Sequence, residues 1–418
     1  MPVRVAVNVE KVSPAAGLPA TMRSASWRRS SWSSRTNPHR RRSSAGCDRT
    51  VVDLCSVPRN GGWQAGAAHR CNRKTFTRRR VGSSSVISDN LYRTAQEYRA
   101  GAGSAHGKII LLGEHMVVYG MPAIAVPMPE LRAHATAYGR AAAGSPAADA
   151  VLDAQRSRSH LVHVDPRSDG RSGDSVEVAA HAFMRLVGYT ERGVDLVLRS
   201  AIPPGRGLGA GAACAVAAVR ALADHLDCVL TPEILHRAVQ HGEDLAHGSA
   251  SGIDAVACMA EGPVWFESGW VQPLSGSTRA RIVVADTGIT GSTKAAVTQV
   301  RTQLASEINQ ARTHLVNAAA LTRMAAEDLA AGRVAELGKH CTAFHAMLCE
   351  IGVSCGALDR LVAAAIEAGA AGAKLTGGGL GGCMIALVEN DEQAVTVKTA
   401  LQRAGAVRTW TIPLGRRA

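Results

Sequence analysis

"IPPGRGLGAGAACAVAAVRAL", residues 202–222, follows a strand-like stretch and opens a helix-like one. Upstream, "VDLVLRSAI" sets Val194, Leu196 and Leu198 at period two and ends at Pro203-Pro204. Downstream, "AACAVAAVRALADHL" is a run of small helix-forming residues. Between them Gly205, Gly207, Gly209 and Gly211 alternate. Glycines at this spacing let a backbone approach a ligand closely. The helix start adds unpaired N–H groups at a positive dipole end, so the stretch predicts an anion site suited to phosphate. The competing reading is a glycine turn that only lets a helix pack closely.

Two common nucleotide folds do not fit. Residues 205–210 satisfy the loose G-x-G-x-x-[GA] fingerprint, and Asp224 and Asp227 lie where a ribose-binding acid is sought. That acid belongs at the end of a second parallel strand. Here both aspartates end a helix, and "TPEILHRAVQHGEDLAH" begins another, with Thr231 as its start signal and Pro232 in its first turn. A Walker A loop fails too, because Gly107-Lys108 is followed by Ile109 and lacks the upstream glycine.

The wider pattern mixes strands and helices without strict alternation. A short strand is expected at Leu161–Val164, a helix over "VEVAAHAFMRLVGY", and a strand over "ARIVVADTG". Three helical stretches then run to about Ala370, followed by strand, glycine turn and strand in "AKLTGGGLGGCMIALV" and a closing helix and strand near "VRTWTIPL". This predicts an α+β chain rather than a doubly wound parallel sheet. A boundary near residue 280 divides it into units over 101–280 and 281–418.

Two further constellations carry polar groups of chemical interest. "GKIILLGEHMVVYG", 107–120, sets Lys108 just before an apolar run and Glu114-His115 just after it. It reads as strand, glycine bend and second strand with polar groups at the ends; a hairpin with solvated charges is the alternative. "HGEDLAHGSASGIDAVA", 241–257, places Glu243 in a helix and Asp254 beyond a turn, 11 residues on. A turn can bring them together, one carboxylate for a metal and one for proton transfer, although surface charge is the plainer reading. The order is not H-E-x-x-H, and His247 reads as a structural hydrogen-bonding residue.

At 418 residues and 46% hydrophobic, the chain can bury two cores. Its net charge of +13 suggests nucleic acid or membrane, but residues 1–100 alone carry +14 and residues 101–418 carry −1. The leader is Arg- and Ser-rich without a sustained period, so disorder is expected. Its readings are an over-extended start or functionless tail, an organellar transit peptide, or a nucleic-acid arm using Trp27, Trp32 and Trp63. The folded remainder is expected to bind neither nucleic acid nor membrane, since no apolar run reaches the roughly 18 residues a spanning helix needs. Ten cysteines at irregular spacing, with no C-x-x-C pair, argue against zinc and for free thiols in the cytoplasm.

From about Ser104 to the C-terminus the chain resembles the GHMP kinase superfamily and, within it, the mevalonate kinases. The resemblance is carried by "SAHGKIILLGEHMVVYGMPAIA", "PPGRGLGAGAACAVAAVRAL" and "AKLTGGGLGGCMIALV", with "HGSASGIDAVA" and "DTGITGSTKAAV" in support. It implies a two-domain α+β fold: an N-terminal domain like domain 2 of ribosomal protein S5, with a left-handed β-α-β crossover, and a ferredoxin-like C-terminal domain. It also implies ATP and Mg²⁺, and transfer of the γ-phosphoryl to the 5-hydroxyl of mevalonate.

By the same resemblance Asp254 is the catalytic base, Lys108 the lysine that lowers the hydroxyl pKa, and Glu243 the Mg²⁺ carboxylate. Glu114, His115 and Thr293 fall at substrate positions. The ATP loop comprises Pro204, Gly205, Arg206, Gly207, Leu208, Gly209, Ala210, Gly211, Ala212 and Ala213, with Gly377, Gly378 and Gly379 beside it.

Three departures bear on efficiency rather than on the fold. Ala210 and Gly211 replace a serine pair, one hydroxyl of which reaches Mg²⁺, so a water is expected in that position. His106 stands where proline is frequent, and Leu380 where glycine is common. The alternatives are a kinase of phosphomevalonate or homoserine, or a silent nucleotide-binding homologue; a homodimer is left open. Because the leader lacks a core-forming pattern, removal of residues 1–95 should leave the thermal midpoint by circular dichroism unchanged. A lower midpoint or insoluble protein would make the leader part of the fold.

Overall fold

The structure, a computed structural model, describes residues 99–140, 149, 153, 159–168, 174–247, 250–276, 278–306 and 308–415. The leader over 1–98, with its three readings, lies outside the described residues. Strand β1 (Gly101–Leu112) alternates in burial at first and is then buried continuously from Gly107 to Leu112. The change falls at a bulge between His106 and Gly107, where the pairing with β2 (Ala123–Gly139) skips register. β2 carries β1 along one edge; on the other it pairs β4 (Val194–Ser200) at one end and β5 (Val264–Glu267) at the other. β3 (His160–Val164) lies outside β4 and β6 (Trp270–Pro273) outside β5, and every pairing is antiparallel.

Small residues set how closely the helices cover this sheet. Helix α1 (Ser175–Val187) is capped by Asp174, whose carboxylate accepts from Val176 and Glu177 N–H. α2 (Ala210–His225) follows the glycine loop, and its alanines are almost all buried. A Cβ on Gly103 would lie 2.1 Å from Ala217 O, so glycine on β1 lets the α2 backbone rest on the strand. α3 (Pro232–His247) and α4 (Ile253–Met259) complete this layer. Asp224 binds Arg99 and the backbone N–H of Ala102, so it caps the start of β1 rather than holding a ribose.

The second sheet runs β10–β7–β9–β8, all antiparallel: β7 (Arg281–Asp286), β8 (Gly372–Thr376), β9 (Cys383–Val388) and β10 (Arg408–Pro413). This is the ferredoxin-like order 4-1-3-2. Between β7 and β8 lie α5 (Thr293–Ser306), α6 (Ile308–Ala331), α7 (Val334–Glu350) and α8 (Gly356–Glu367); α9 (Asp391–Arg403) joins β9 to β10. The Arg323–Glu267 ion pair ties α6 back to β5 of the first sheet.

Four local features differ from the sequence expectation. "MVVY" forms a single 3₁₀ turn (Met116–Tyr119) before β2, because His115 and Gly120 adopt positive φ and turn the chain on either side. Four helices, not three, separate β7 from β8 among the described residues. A short helix, α4, not expected from the sequence, begins right after the sequence GSASG and carries Asp254 in its first turn. The β5–β6 hairpin closes on Ser268-Gly269, both at positive φ, a signal legible in "FESGWV" as a two-residue turn between aromatic and β-branched residues.

His345 of α7, Cys349 and Asp359 come together, but Leu375 N–H donates to His345 Nδ1. Nε2 therefore carries the proton and faces Cys349 and Asp359 as a donor, not as a metal lone pair. Burial, with Lys374 nearby, pushes this imidazole down to about 4 against the opposing pull of Asp359. The folded chain thus holds fewer protons than the unfolded one between about pH 4 and 6.5, and stability is lost as pH falls through that window. His345→Gln should flatten the acid slope of the unfolding free energy by up to about 1.4 kcal/mol per pH unit. Urea titrations from pH 7 down to 5 measure it, and an unchanged slope would refute the assignment.

Candidate active site

The end of β1, the glycine loop before α2, the start of α4 and the glycine turn after β8 meet in a cleft. Strand and loop are stitched by Lys108 N–H, which donates to Leu208 O at 3.0 Å. Gly209 is the N-cap of α2 at φ 77°, and a Cβ there would lie 2.9 Å from Lys108 Cγ. Glycine is thus needed both for the left-handed turn and for the lysine stem that crosses it.

Lys108 is 3% exposed, and its ammonium lies 3.0 Å from Asp254 Oδ1 while donating to Gly207 O at 3.3 Å. Burial alone would lower its pKa; Asp254, and more remotely Cys258 and Glu243, outweigh that and leave it raised. The lysine therefore stays charged across the physiological range. Asp254 keeps 30% of its side chain open to the cleft, so it can meet a small molecule there. Glu243 is buried on α3 and lines the same cleft. The carboxylate pair expected from 241–257 is thus assembled with the lysine from 107–120.

Glu114 and His115 divide in role. Glu114 is buried and ion-paired with Lys374, itself fully buried in β8 and also bonded to Leu375 O at 2.6 Å. Burial raises the Glu114 pKa, and Lys374 only partly offsets this. Its Oε2 is buried without a protein partner. His115, at φ 61°, is held by a backbone hydrogen bond with Gly378, and its buried Nε2 has no protein partner. Burial pushes its pKa down to about 4, so the imidazole is neutral at pH 7 where it lines the cleft. Thr293 opens α5 with its hydroxyl beside Gly378, and Ile110, Val117, Ile253 and Val297 supply an apolar wall.

The glycine loop is clasped by the second sheet. Arg206 turns away from the cleft and binds Asp286, Thr290 Oγ1 and Gly288 O. Gly291 N–H donates to Gly205 O, Pro204 precedes that contact, and the backbones of Gly207 and Gly377 touch. Leu208, Ala212 and Ala213 are core residues that shape the loop from behind, while Ala210 and Gly211 start α2 at its mouth. Gly379 packs on Val353 O, on the far side of the turn. Of the expected ATP residues, then, Gly207, Gly377 and Gly378 line the cleft, and Gly209, Ala210 and Gly211 form the start of α2. Arg206, Leu208, Ala212, Ala213 and Gly379 serve the loop's shape.

Lys374 was missing from the sequence reading. Its signal is a lysine in the otherwise apolar "GAKLT" before a glycine turn, since a cation in a wholly buried strand needs a partner. Thr376 was missed as well; its hydroxyl donates to Ile110 O at 2.9 Å and accepts from Ile110 N–H at 3.0 Å, fastening β8 to β1.

Residues 174–262 match the family description GHMP kinases N terminal domain, and residues 325–407 match GHMP kinases C terminal. The mevalonate kinase of Pyrococcus horikoshii is 33% identical over 323 residues, covering 73% of this chain and 92% of that protein. That of Thermococcus gammatolerans is 36% identical over 315 residues, covering 72% and 92%. The chain belongs to the mevalonate kinase family of GHMP kinases. The crystal structure of L. major mevalonate kinase in complex with R-mevalonate superposes with a TM-score of 0.62 at 25% identity, covering 76% of this chain and 98% of that one. As a GHMP kinase the chain is an ATP-dependent small-molecule phosphotransferase with the two-domain GHMP kinase fold. No helix among the described residues is long and apolar enough to cross a membrane.

The buried Lys374–Glu114 pair joins the two sheets of this kinase, so removing one partner leaves an uncompensated charge. Lys374→Met should lower the unfolding free energy by about 3–5 kcal/mol, and the double change with Glu114→Gln should recover most of it. Denaturant titrations of the single and double variants measure this; additive losses would show that the two groups are not coupled.

Proposed function

We propose that the chain transfers the γ-phosphoryl group of ATP to the 5-hydroxyl of mevalonate. The observation that carries the reading is the Lys108–Asp254 pair, 3.0 Å apart at the mouth of the glycine loop. An alcohol is a poor nucleophile, and phosphoryl transfer is mostly positioning and charge neutralisation. Asp254 accepts the hydroxyl proton as the oxygen attacks phosphorus. The adjacent Lys108 ammonium offsets charge on that oxygen and on the transferring group. The backbone at the start of α2 cradles the nucleotide phosphates, and Gly377 and Gly378 close the other side.

A buried carboxylate beside Gly211, where a Cβ would make only ordinary contacts, suits a small hard cation, and Glu243 would hold Mg²⁺ there. When bound with ATP, the ion neutralises phosphate charge. His115 and Thr293 orient the acceptor, and the apolar wall receives its hydrocarbon part.

Lys108, Lys374 and Arg206 are each committed to a carboxylate. This favours an unphosphorylated acceptor over phosphomevalonate, whose phosphate needs an uncommitted cation. Free thiols at all the described cysteines suit the cytoplasm. A coupled ADP-release assay across mevalonate, phosphomevalonate, homoserine and galactose should show turnover with mevalonate above the others. Asp254→Asn should cost about 10²–10⁴ in kcat with ATP binding retained. Near-wild-type kcat in that variant would refute the role of Asp254, and preference for another acceptor would refute the substrate.

A further inference from the structure

We propose that Ser175 supplies the hydroxyl that the glycine loop lacks, completing with Glu243 a divalent-cation site built from three helices. The inference rests on the kinase reading above and goes on to this chain's own way of holding the metal. Gly211 is the second residue of α2, in ordinary helical conformation, and is absent from the glycines at positive φ. A Cβ on it would meet Glu243 Oε1 at 3.5 Å and Ser175 Oγ at 3.7 Å, both ordinary contact distances, and nothing nearer. Neither backbone nor crowding therefore demands glycine at this position. What borders the vacated space is one carboxylate oxygen and one hydroxyl oxygen, from two different helices.

The packing explains why that hydroxyl is there. A Cβ on Gly242 would lie 2.1 Å from Ser175 O, so the start of α1 rests directly on α3, one residue before Glu243. The Asp174 cap fixes the first turn of α1 and so the position from which Ser175 projects. With each oxygen within 3.7 Å of one point, small side-chain rotations bring both toward a shared ion, and Mg²⁺ bonds oxygen at about 2.0–2.1 Å. The exchange is electrostatically even, because each hydroxyl would stand in the first turn of a helix, where the dipole is unfavourable to a cation. Nucleotide phosphates and Glu243 provide the opposing charge in both arrangements.

The test is metal binding rather than turnover. Mn²⁺ is titrated into the full-length protein with a non-hydrolysable ATP analogue, and free Mn²⁺ is followed by its electron paramagnetic resonance signal. Four proteins form a cycle: wild type, Ser175→Ala, Gly211→Ser and the double variant. Ser175→Ala should weaken Mn²⁺ binding by about tenfold, and the serine at 211 should restore it in the double variant while changing the wild type little. Far-ultraviolet circular dichroism confirms that each variant is folded, and Ser175→Thr, which keeps the hydroxyl, should bind like wild type. Unchanged binding in folded Ser175→Ala, or the same gain from Gly211→Ser in both backgrounds, would overturn the proposal. Failure of the mevalonate reading would appear in the acceptor panel and leave this cycle untouched.

Discussion

The buried ion pair between Glu114 and Lys374 is the constraint on which the site depends. Glu114 lies two residues beyond the strand that carries Lys108, and Lys374 belongs to the strand before the second glycine turn. Two charges in an interior without water are tolerated only together, so each sheet holds a group that requires the other. Thr376 adds two hydrogen bonds across the same seam to Ile110. With β1 and β8 held end to end, the loops that follow them face one another. Gly207 and Gly377 then touch backbone to backbone, a contact that any side chain would prevent.

Three pairs of opposite charge lie in and around the cleft. Lys108 faces Asp254, Lys374 faces Glu114, and Arg206 faces Asp286. The pairs differ in access. Asp254 opens to the cleft, whereas Glu114 and Lys374 are closed off and Arg206 is spent on the hinge between loop and sheet. Only the first pair is placed to exchange a proton with a small molecule. The others hold the surrounding strands and loop together, and His115, neutral because it is buried, adds a polar group without adding charge.

The departures from the family pattern have local explanations. His106, at a frequent proline position, presents Nε2 to Ala260 O at 2.8 Å and so braces the end of α4, the helix that carries Asp254. Leu380, at a common glycine position, sits at φ 54° with its N–H donated to Val353 O; an L-residue in that conformation costs about 1–2 kcal/mol. Gly211 leaves a space whose boundary already contains a hydroxyl. Each change is compensated or borne by residues distant in sequence.

Much of this protein was legible from its residues alone. Period-two and helical patterns marked β4, α1, α2 and the β8–β9 hairpin. The resemblance to the GHMP kinases assigned the proposed roles of Lys108, Glu243 and Asp254, and the alternating glycines marked a loop suited to phosphate. These are local signals, because backbone geometry and amphipathic period are written within a dozen residues. What tertiary structure alone decided was partnership. That Glu114 answers to Lys374, that Arg206 braces the loop against Asp286, and that Ser175 lies beside Gly211 follow from contacts between residues up to 260 positions apart. A carboxylate beside a strand looks the same in sequence whether it is destined for substrate or for a buried lysine. The difference lies in which cation the fold carries to it once the surrounding water has been removed.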